Sequence, residues 1–233
     1  MDGEQALHSE LLEKVRSYKM PQAAQELLSS NPPLVICGIT AAGKNSVMRY
    51  IVETSDYRHV ITHTTRQPRN ESEDTHEFHF VNDEQMLALI NAQAMIETKE
   101  VHGDKIYGTS IKAYQDTLAG GHKPVLIIDV QGVKDISRYL PGLQAYFLIP
   151  QSFDDWMRMM EKRGRMSHSE RLRRMHSARD ELESVLRSEG FTMLIKQDIP
   201  HTAKIILSGG RDLSSQRQSR ETAQQLIERL KTL

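Results

Sequence analysis

Gly38-Ile39-Thr40-Ala41-Ala42-Gly43-Lys44-Asn45-Ser46 sets two glycines with four residues between them and a lysine directly after the second. Glycines at that spacing let the backbone turn tightly enough for several N–H groups to face one phosphate chain, and the lysine adds a mobile positive charge toward the outer phosphates. Upstream, Leu34-Val35-Ile36-Cys37 is an apolar run suited to a buried strand. Downstream, Val47 to Val52 begins a helix whose N-terminus would face the anion. Strand, glycine loop and helix in this order make a phosphate-binding P-loop; the competing reading is a glycine-rich turn with no ligand. On the first reading Gly38, Thr40, Ala41, Ala42, Gly43, Lys44, Asn45 and Ser46 surround the phosphates. Asn45 departs from the pattern, because a Ser or Thr hydroxyl at that position normally ligates the magnesium carried by a nucleoside triphosphate. The Asn45 amide oxygen could ligate the ion instead, Ser46 could reach it by a small shift of the loop, or metal binding could be weakened.

The 233-residue length suggests one main domain with extensions. Hydrophobic residues at 38% and charged residues at 26% fit an ordinary soluble protein with a real core. No stretch approaches the roughly 18 consecutive apolar residues of a membrane span, and Met1-Asp2-Gly3-Glu4 lacks a basic secretory start, so the expectation is a cytoplasmic protein with no membrane partner. A net charge of −1 gives no global attraction to nucleic acid, which is therefore not an expected partner. With Cys37 the only cysteine, an intrachain disulfide and a cysteine-built zinc site are both excluded. The ten histidines show no metal-ligand spacing.

Ala6 to Ser29 reads as helical, with Leu7, Leu11, Leu12 and Val15 at helical spacing and Pro21 breaking or restarting the helix. Strands are expected at His59 to Thr62, Phe78 to Val81, Met95 to Glu100, Val125 to Asp129, Ala145 to Ile149 and Thr192 to Ile195. Their alternation with helices predicts an α/β fold with a mainly parallel central sheet. Arg211 to Arg220, rich in Ser, Gln and Arg, reads as a linker, and Thr222 to Leu233 as a last amphipathic helix. The apolar faces of the terminal helices are candidates for a homodimer or protein-partner contact.

Thr64-Thr65-Arg66-Gln67-Pro68-Arg69 follows the second strand, and Pro68 biases Gln67 away from helix, leaving two guanidinium groups on an extended segment where they can converge on one phosphate. Coming after this P-loop, that segment resembles the acceptor-binding signature of guanylate kinases. Met95-Ile96-Glu97, Tyr107-Gly108-Thr109, Asp129-Val130-Gln131-Gly132-Val133-Lys134, Ile149-Pro150 and Lys162-Arg163-Gly164 follow in the family's order, so the resemblance spans about Pro32 to Gly209.

The resemblance implies a P-loop three-layer α/β fold with a mainly parallel central sheet, a small mixed GMP-binding subdomain near 62–125 and a helical lid near 151–180. An N-terminal helical extension (1–31) and a C-terminal linker and helix (210–233) would flank the kinase-like domain at 32–209. It implies a phosphotransferase acting on ATP and GMP with Mg2+. Arg66 and Arg69 would hold the GMP phosphate, helped by Tyr107 and Thr62, with Phe78 at the same subsite. Glu97 would accept from guanine N1 and the exocyclic amine, and Thr109 would meet O6. Such adjacent donors suit a carboxylate, and adenine lacks them. Taken singly, Glu97 would pass for an exposed strand residue, Tyr107 for a core aromatic and Thr109 for a helix N-cap. Asp129 would assist at the base or, closing the apolar run Val125 to Ile128, serve the metal beside Asn45. Lys44, Arg163 and Arg174 would be catalytic.

Four positions depart from the family pattern. Asn45 replaces the loop hydroxyl, Ile127 stands where a second acid is usual, Phe78 replaces a tyrosine, and Met159 replaces a lid arginine, with Arg158 adjacent. The alternatives to a GMP kinase are accordingly a weak or inactive guanylate-kinase-like binding or scaffold module, and a kinase for a different nucleoside monophosphate.

Overall fold

In the computed structural model, residues 2–68, 78–101, 104–162, 166–210 and 213–232 are described. In chain order the elements are α1 (Asp2–Ser17), α2 (Gln22–Ser30), β1 (Leu34–Gly38), α3 (Lys44–Thr54), β2 (Tyr57–His59), β3 (Thr62–Thr64), β4 (Phe78–Phe80), α4 (Asp83–Asn91), β5 (Met95–Val101), β6 (Lys105–Ser110), α5 (Ile111–Ala119), β7 (Lys123–Ile127), α6 (Val130–Ser137), β8 (Gln144–Ile149), α7 (Phe153–Glu161), α8 (His168–Leu186), β9 (Phe191–Ile195), α9 (Ile199–Leu207) and α10 (Leu213–Lys231). The chain divides into two compact units, one formed by Met1–Pro33, Arg58–Pro124 and Asp135–Pro141, the other by Leu34–Tyr57, Val125–Lys134 and Gly142–Leu233.

The second unit carries the P-loop. Its five-stranded sheet runs β2-β7-β1-β8-β9, and β1 pairs parallel with both β7 and β8, as β8 does with β9. Every residue of β1 is buried, the condition that makes a central parallel strand read as an unbroken apolar run. Cys37 lies there with no exposure, and burial pushes its thiol far above the usual range, so it stays a protonated packing group.

The stretch from Arg211 to Arg220, expected as a linker, is helical from Leu213 onward. Polarity misled because this helix anchors itself with few residues: Ser219, Ala223, Leu226, Ile227 and Leu230 are buried at helical spacing, while Arg217 pairs with Glu221 at 3.0 Å on the solvent side. The Gln216 carboxamide accepts from the Met193 N–H and donates to the Met193 carbonyl, both at 2.9 Å, serving the edge strand β9 as a neighbouring strand would.

The first unit is built on a four-stranded mixed sheet, β4-β3-β6-β5, with β3 and β4 parallel and β6 antiparallel to both β3 and β5. The expected strand at His59 to Thr62 is two strands in two sheets, broken at Val60-Ile61. β6 was missed, because Lys-Ile-Tyr-Gly-Thr-Ser has no apolar run to announce it. α1 packs within this unit. Leu11 and Val15 join Met86, Leu87, Ile90, Met95 and Ile106 in one apolar cluster, with Leu7, Leu12 and Tyr18 packed against it. His8 bonds Asp83 at 2.6 Å and Arg16 pairs with Glu100 at 3.0 Å. α1 ends at Ser17, and Pro21 stands at the N-cap of α2. The apolar faces of α1 and α10, read as surfaces for a second copy or a partner, are thus covered within the chain.

Candidate functional site

The loop between β1 and α3 is built by backbone geometry. At Gly38 φ is +140°, and a Cβ there would lie 2.3 Å from the Leu148 carbonyl oxygen on β8, so a side chain is excluded where the loop leaves the sheet. Gly43, at φ +87°, caps α3, and Ala41 is also left-handed at +61°. Ala41 and Ala42 are buried, Lys44 and Asn45 half-buried and Ser46 exposed. The Lys44 ammonium donates to the carbonyls of Gly38 at 2.5 Å and Ile39 at 3.1 Å, holding its charge over the loop interior.

Two residues, one on α7 and one on α8, reach Thr40. The indole N–H of Trp156, fully buried on α7, donates to the Thr40 carbonyl at 2.7 Å, fastening the loop from outside. Arg174 on α8 lies 3.5 Å from the Thr40 hydroxyl through Nη1 and 2.5 Å from Glu170 through Nη2. Its side chain is 13% exposed, and Nε is buried with no hydrogen-bond partner among the described residues. Arg158, the candidate to replace the arginine missing at Met159, is exposed and engaged with Asp155 at 3.0 Å within its own helix. Arg163 and Arg69 lie outside the described residues.

Asp129 follows β7, and its carboxylate accepts from the Gly132 N–H at 2.6 Å at the start of α6. It shares a charge neighbourhood with Lys44 and Glu181. Burial pushes the Glu181 carboxyl above the usual range, Lys44 pulls it back, and Asp129 and Asp180 push it up again. Ile127 pairs in register with Ile36, so the place of the family's second acid is apolar. Sequence reasoning missed Glu181, Trp156 and Lys196, whose aliphatic stem lies 3.1 Å from where a Cβ on Gly43 would stand. One signal for Glu181 was available: it sits seven residues after Arg174, two turns along the same face of α8.

In the first unit, one cross-strand row joins Phe78 on β4, Thr62 on β3, Thr109 on β6 and Glu97 on β5. The next row of the same face holds Phe80, Thr64, Tyr107 and Lys99. Residues drawn from four separate sequence segments therefore share one face. The Thr109 hydroxyl donates to a Glu97 carboxylate oxygen at 2.8 Å, with Thr109 buried and Glu97 only 7% exposed. The cap of α5 is Ser110 rather than Thr109, which leaves Thr109 to face Glu97.

Arg66 sits over this face. Its Nε donates to the Tyr107 hydroxyl at 3.0 Å, Nη1 donates to the Gln67 carbonyl at 2.8 Å, and its carbon Cζ lies 5.3 and 5.4 Å from the rings of Phe78 and Phe80. Phe78, standing where the family pattern has a tyrosine, thus supports the guanidinium by cation–π contact. Phe80 was not anticipated. The Thr64 hydroxyl fixes the turn by accepting from the Arg66 N–H at 3.1 Å.

The described residues offer no cluster of three or more His, Cys, Asp or Glu able to hold a metal ion by themselves, and no described helix is long and apolar enough to cross a membrane.

The family model described as guanylate kinase matches residues 30–206. The guanylate kinase of Tropheryma whipplei (strain Twist) is 32% identical over 152 residues, 65% of this chain and 79% of that protein. The guanylate kinase of Syntrophotalea carbinolica is 32% identical over 181 residues, covering 76% of this chain and 85% of its own length. In fold, the crystal structure of guanylate kinase from Anaplasma phagocytophilum superposes with a TM-score of 0.59 at 22% identity, over 79% of this chain and 89% of that one. With its loop, its mixed sheet and most of its length matched, the chain belongs to the guanylate kinase family.

Proposed function

We propose that this protein transfers the γ-phosphoryl group of ATP to GMP, giving ADP and GDP. The observation that carries the reading is the single sheet face on which Glu97, Thr109, Thr62, Tyr107 and Arg66 meet. A buried carboxylate steadied by a threonine hydroxyl answers the adjacent N1 and N2 donors of guanine, and an arginine aimed by Tyr107 answers a phosphate. Arg69 would add a second guanidinium to that phosphate.

On the donor side, the loop amides and Lys44 hold the triphosphate, and Arg174, with Arg163, offsets charge on the group in transfer. Its unpartnered Nε and its place beside Thr40 suit that role. No covalent intermediate is required, so the chain's contribution is to position both nucleotides and exclude water. Magnesium fits the donor set, which is oxygen-rich: Asp129 with Glu181 nearby, the Asn45 amide and the Ser46 hydroxyl. The ion would neutralise phosphate charge and would arrive with the nucleotide, since too few carboxylates converge here to bind it alone. In this reading Asp129 belongs to the metal side, and the terminal helices serve intramolecular packing rather than a partner.

A second reading, a binding module with little turnover, is favoured by Asn45 and by Ile127, packed in register against Ile36 where the family usually has an acid. Calorimetry separates the two: magnesium-dependent ATP binding together with GMP binding supports the kinase, and GMP binding without ATP supports the module. Titration with AMP, UMP and CMP tests the remaining alternative, a different acceptor.

A further inference from the structure

β5 is an edge strand that carries Glu97, and its register changes just before that residue. From Val101 back to Glu97 it pairs regularly with β6, Glu97 lying opposite Thr109; yet Met95, not Ile96, lies opposite Ser110. Ile96 is therefore the extra residue of a β-bulge. Side chains alternate faces along a strand, so a one-residue slip exchanges them. If β5 ran on from Met95 without the bulge, Ile96 would lie opposite Thr109 and Glu97 would turn to the other face of the sheet. The bulge is what reconciles a Met95 buried in the apolar cluster with a Glu97 on the face of Arg66 and Thr109.

One side chain grips the strand at that step. The Tyr18 hydroxyl donates to the Met95 carbonyl at 2.8 Å and accepts from the Met95 N–H at 3.2 Å. Both groups of a single edge residue are thereby satisfied by one hydroxyl. The Tyr18 ring is half-buried and packed against the cluster formed by Leu11, Val15, Met86, Ile90, Met95 and Ile106. Tyr18 lies before residue 30, outside the span matched by the family.

We propose that Tyr18 is a positioning residue for base recognition: by clamping Met95 at the bulge, it holds Glu97 in register opposite Thr109 and so sets the preference for guanine. The inference rests on the reading of Glu97 as the guanine acceptor. Tyr18→Phe keeps the ring packed against the core and removes only the hydroxyl. Met95 then loses two bonds at the bulge, and β5 gains freedom on its N-terminal side.

The experiment compares the wild-type chain with Tyr18→Phe in coupled ADP-release kinetics with GMP and with IMP, which lacks the exocyclic amine, and in amide hydrogen exchange across residues 95–98. The expected result is a rise in KM for GMP of about 10-fold, the scale of one or two neutral hydrogen bonds. KM for ATP stays unchanged, the GMP-over-IMP preference shrinks, and exchange accelerates at 95–98. Unchanged GMP kinetics and exchange in the variant would overturn the inference and leave the proposed function standing. So would a loss of thermal stability with the GMP-over-IMP ratio preserved, which marks a merely structural tyrosine. Wild-type protein that neither binds nor phosphorylates GMP would overturn the proposed function and this inference together, and the wild-type arm is measured first for that reason.

Discussion

Replacing Glu97 by Gln perturbs base recognition at one atom pair. The carboxylate is 7% exposed and already accepts one bond from the Thr109 hydroxyl at 2.8 Å. An ionised carboxylate offers about four lone-pair sites, enough to accept from Thr109 and from two guanine donors together. Gln keeps the volume but exchanges one oxygen for an amine. If the amine turns to guanine, donor meets donor. If it turns to Thr109, whose hydroxyl can rotate to accept it, a neutral oxygen replaces a charged one at the base. Either way a charge-assisted bond is lost, worth about 1.5–3 kcal/mol, or roughly 10- to 150-fold in kcat/KM for GMP. Any weak turnover of AMP should not fall with it, because adenine presents no matching donors. The assay is ADP release with each acceptor, with a thermal melt to show that the fold is retained. A GMP-to-AMP ratio within twofold of wild type would refute the assignment of Glu97 to the base.

Asn45→Ser restores a hydroxyl at the first turn of α3 and should raise magnesium-dependent turnover with GMP; an unchanged or lower rate across a magnesium titration would show that Asn45 does not limit this loop. His63, on the face of the four-stranded sheet opposite Glu97, has its pKa lowered from 6.5 to about 4, first by burial and then by His79, whose ring centroid is 4.8 Å away. Between those values the unfolded chain binds a proton that the folded protein refuses, so this contribution to stability is complete above pH 6.5 and is lost as pH falls through about 4. Melting temperatures of His63→Gln should therefore fall less steeply than those of wild type across that window, and parallel slopes would contradict the account.

How much of this was legible in sequence varies from residue to residue, for physical reasons. The loop from Gly38 to Ser46 was readable because its glycines and lysine answer local demands: Gly38 where a Cβ would strike β8, Gly43 at a positive φ before α3, and Lys44 at the helix start, although Ala41 also takes a positive φ. Thr62, Arg66, Glu97, Tyr107 and Thr109 were picked out one by one through resemblance, but their meeting on one sheet face depends on β6 and on the bulge at Ile96. Neither leaves a local signal, since β6 has no apolar run and a bulge is a property of two strands together. Phe78 was read only as the replacement of a tyrosine, and the structure makes it a ring beneath Arg66. Trp156 and Glu181 escaped because their partners, Thr40 and Lys44, lie far away in sequence. The polar α10 passed for a linker because helical anchoring through a few buried residues hardly changes composition.

The central claim is phosphoryl transfer between two nucleotides, and its most direct test is product analysis of the wild-type chain incubated with ATP, GMP and magnesium, with separation of all four nucleotides. The account predicts GDP and ADP appearing in equal amounts and only when both substrates are present. ADP without GDP, or no product at all, would contradict it.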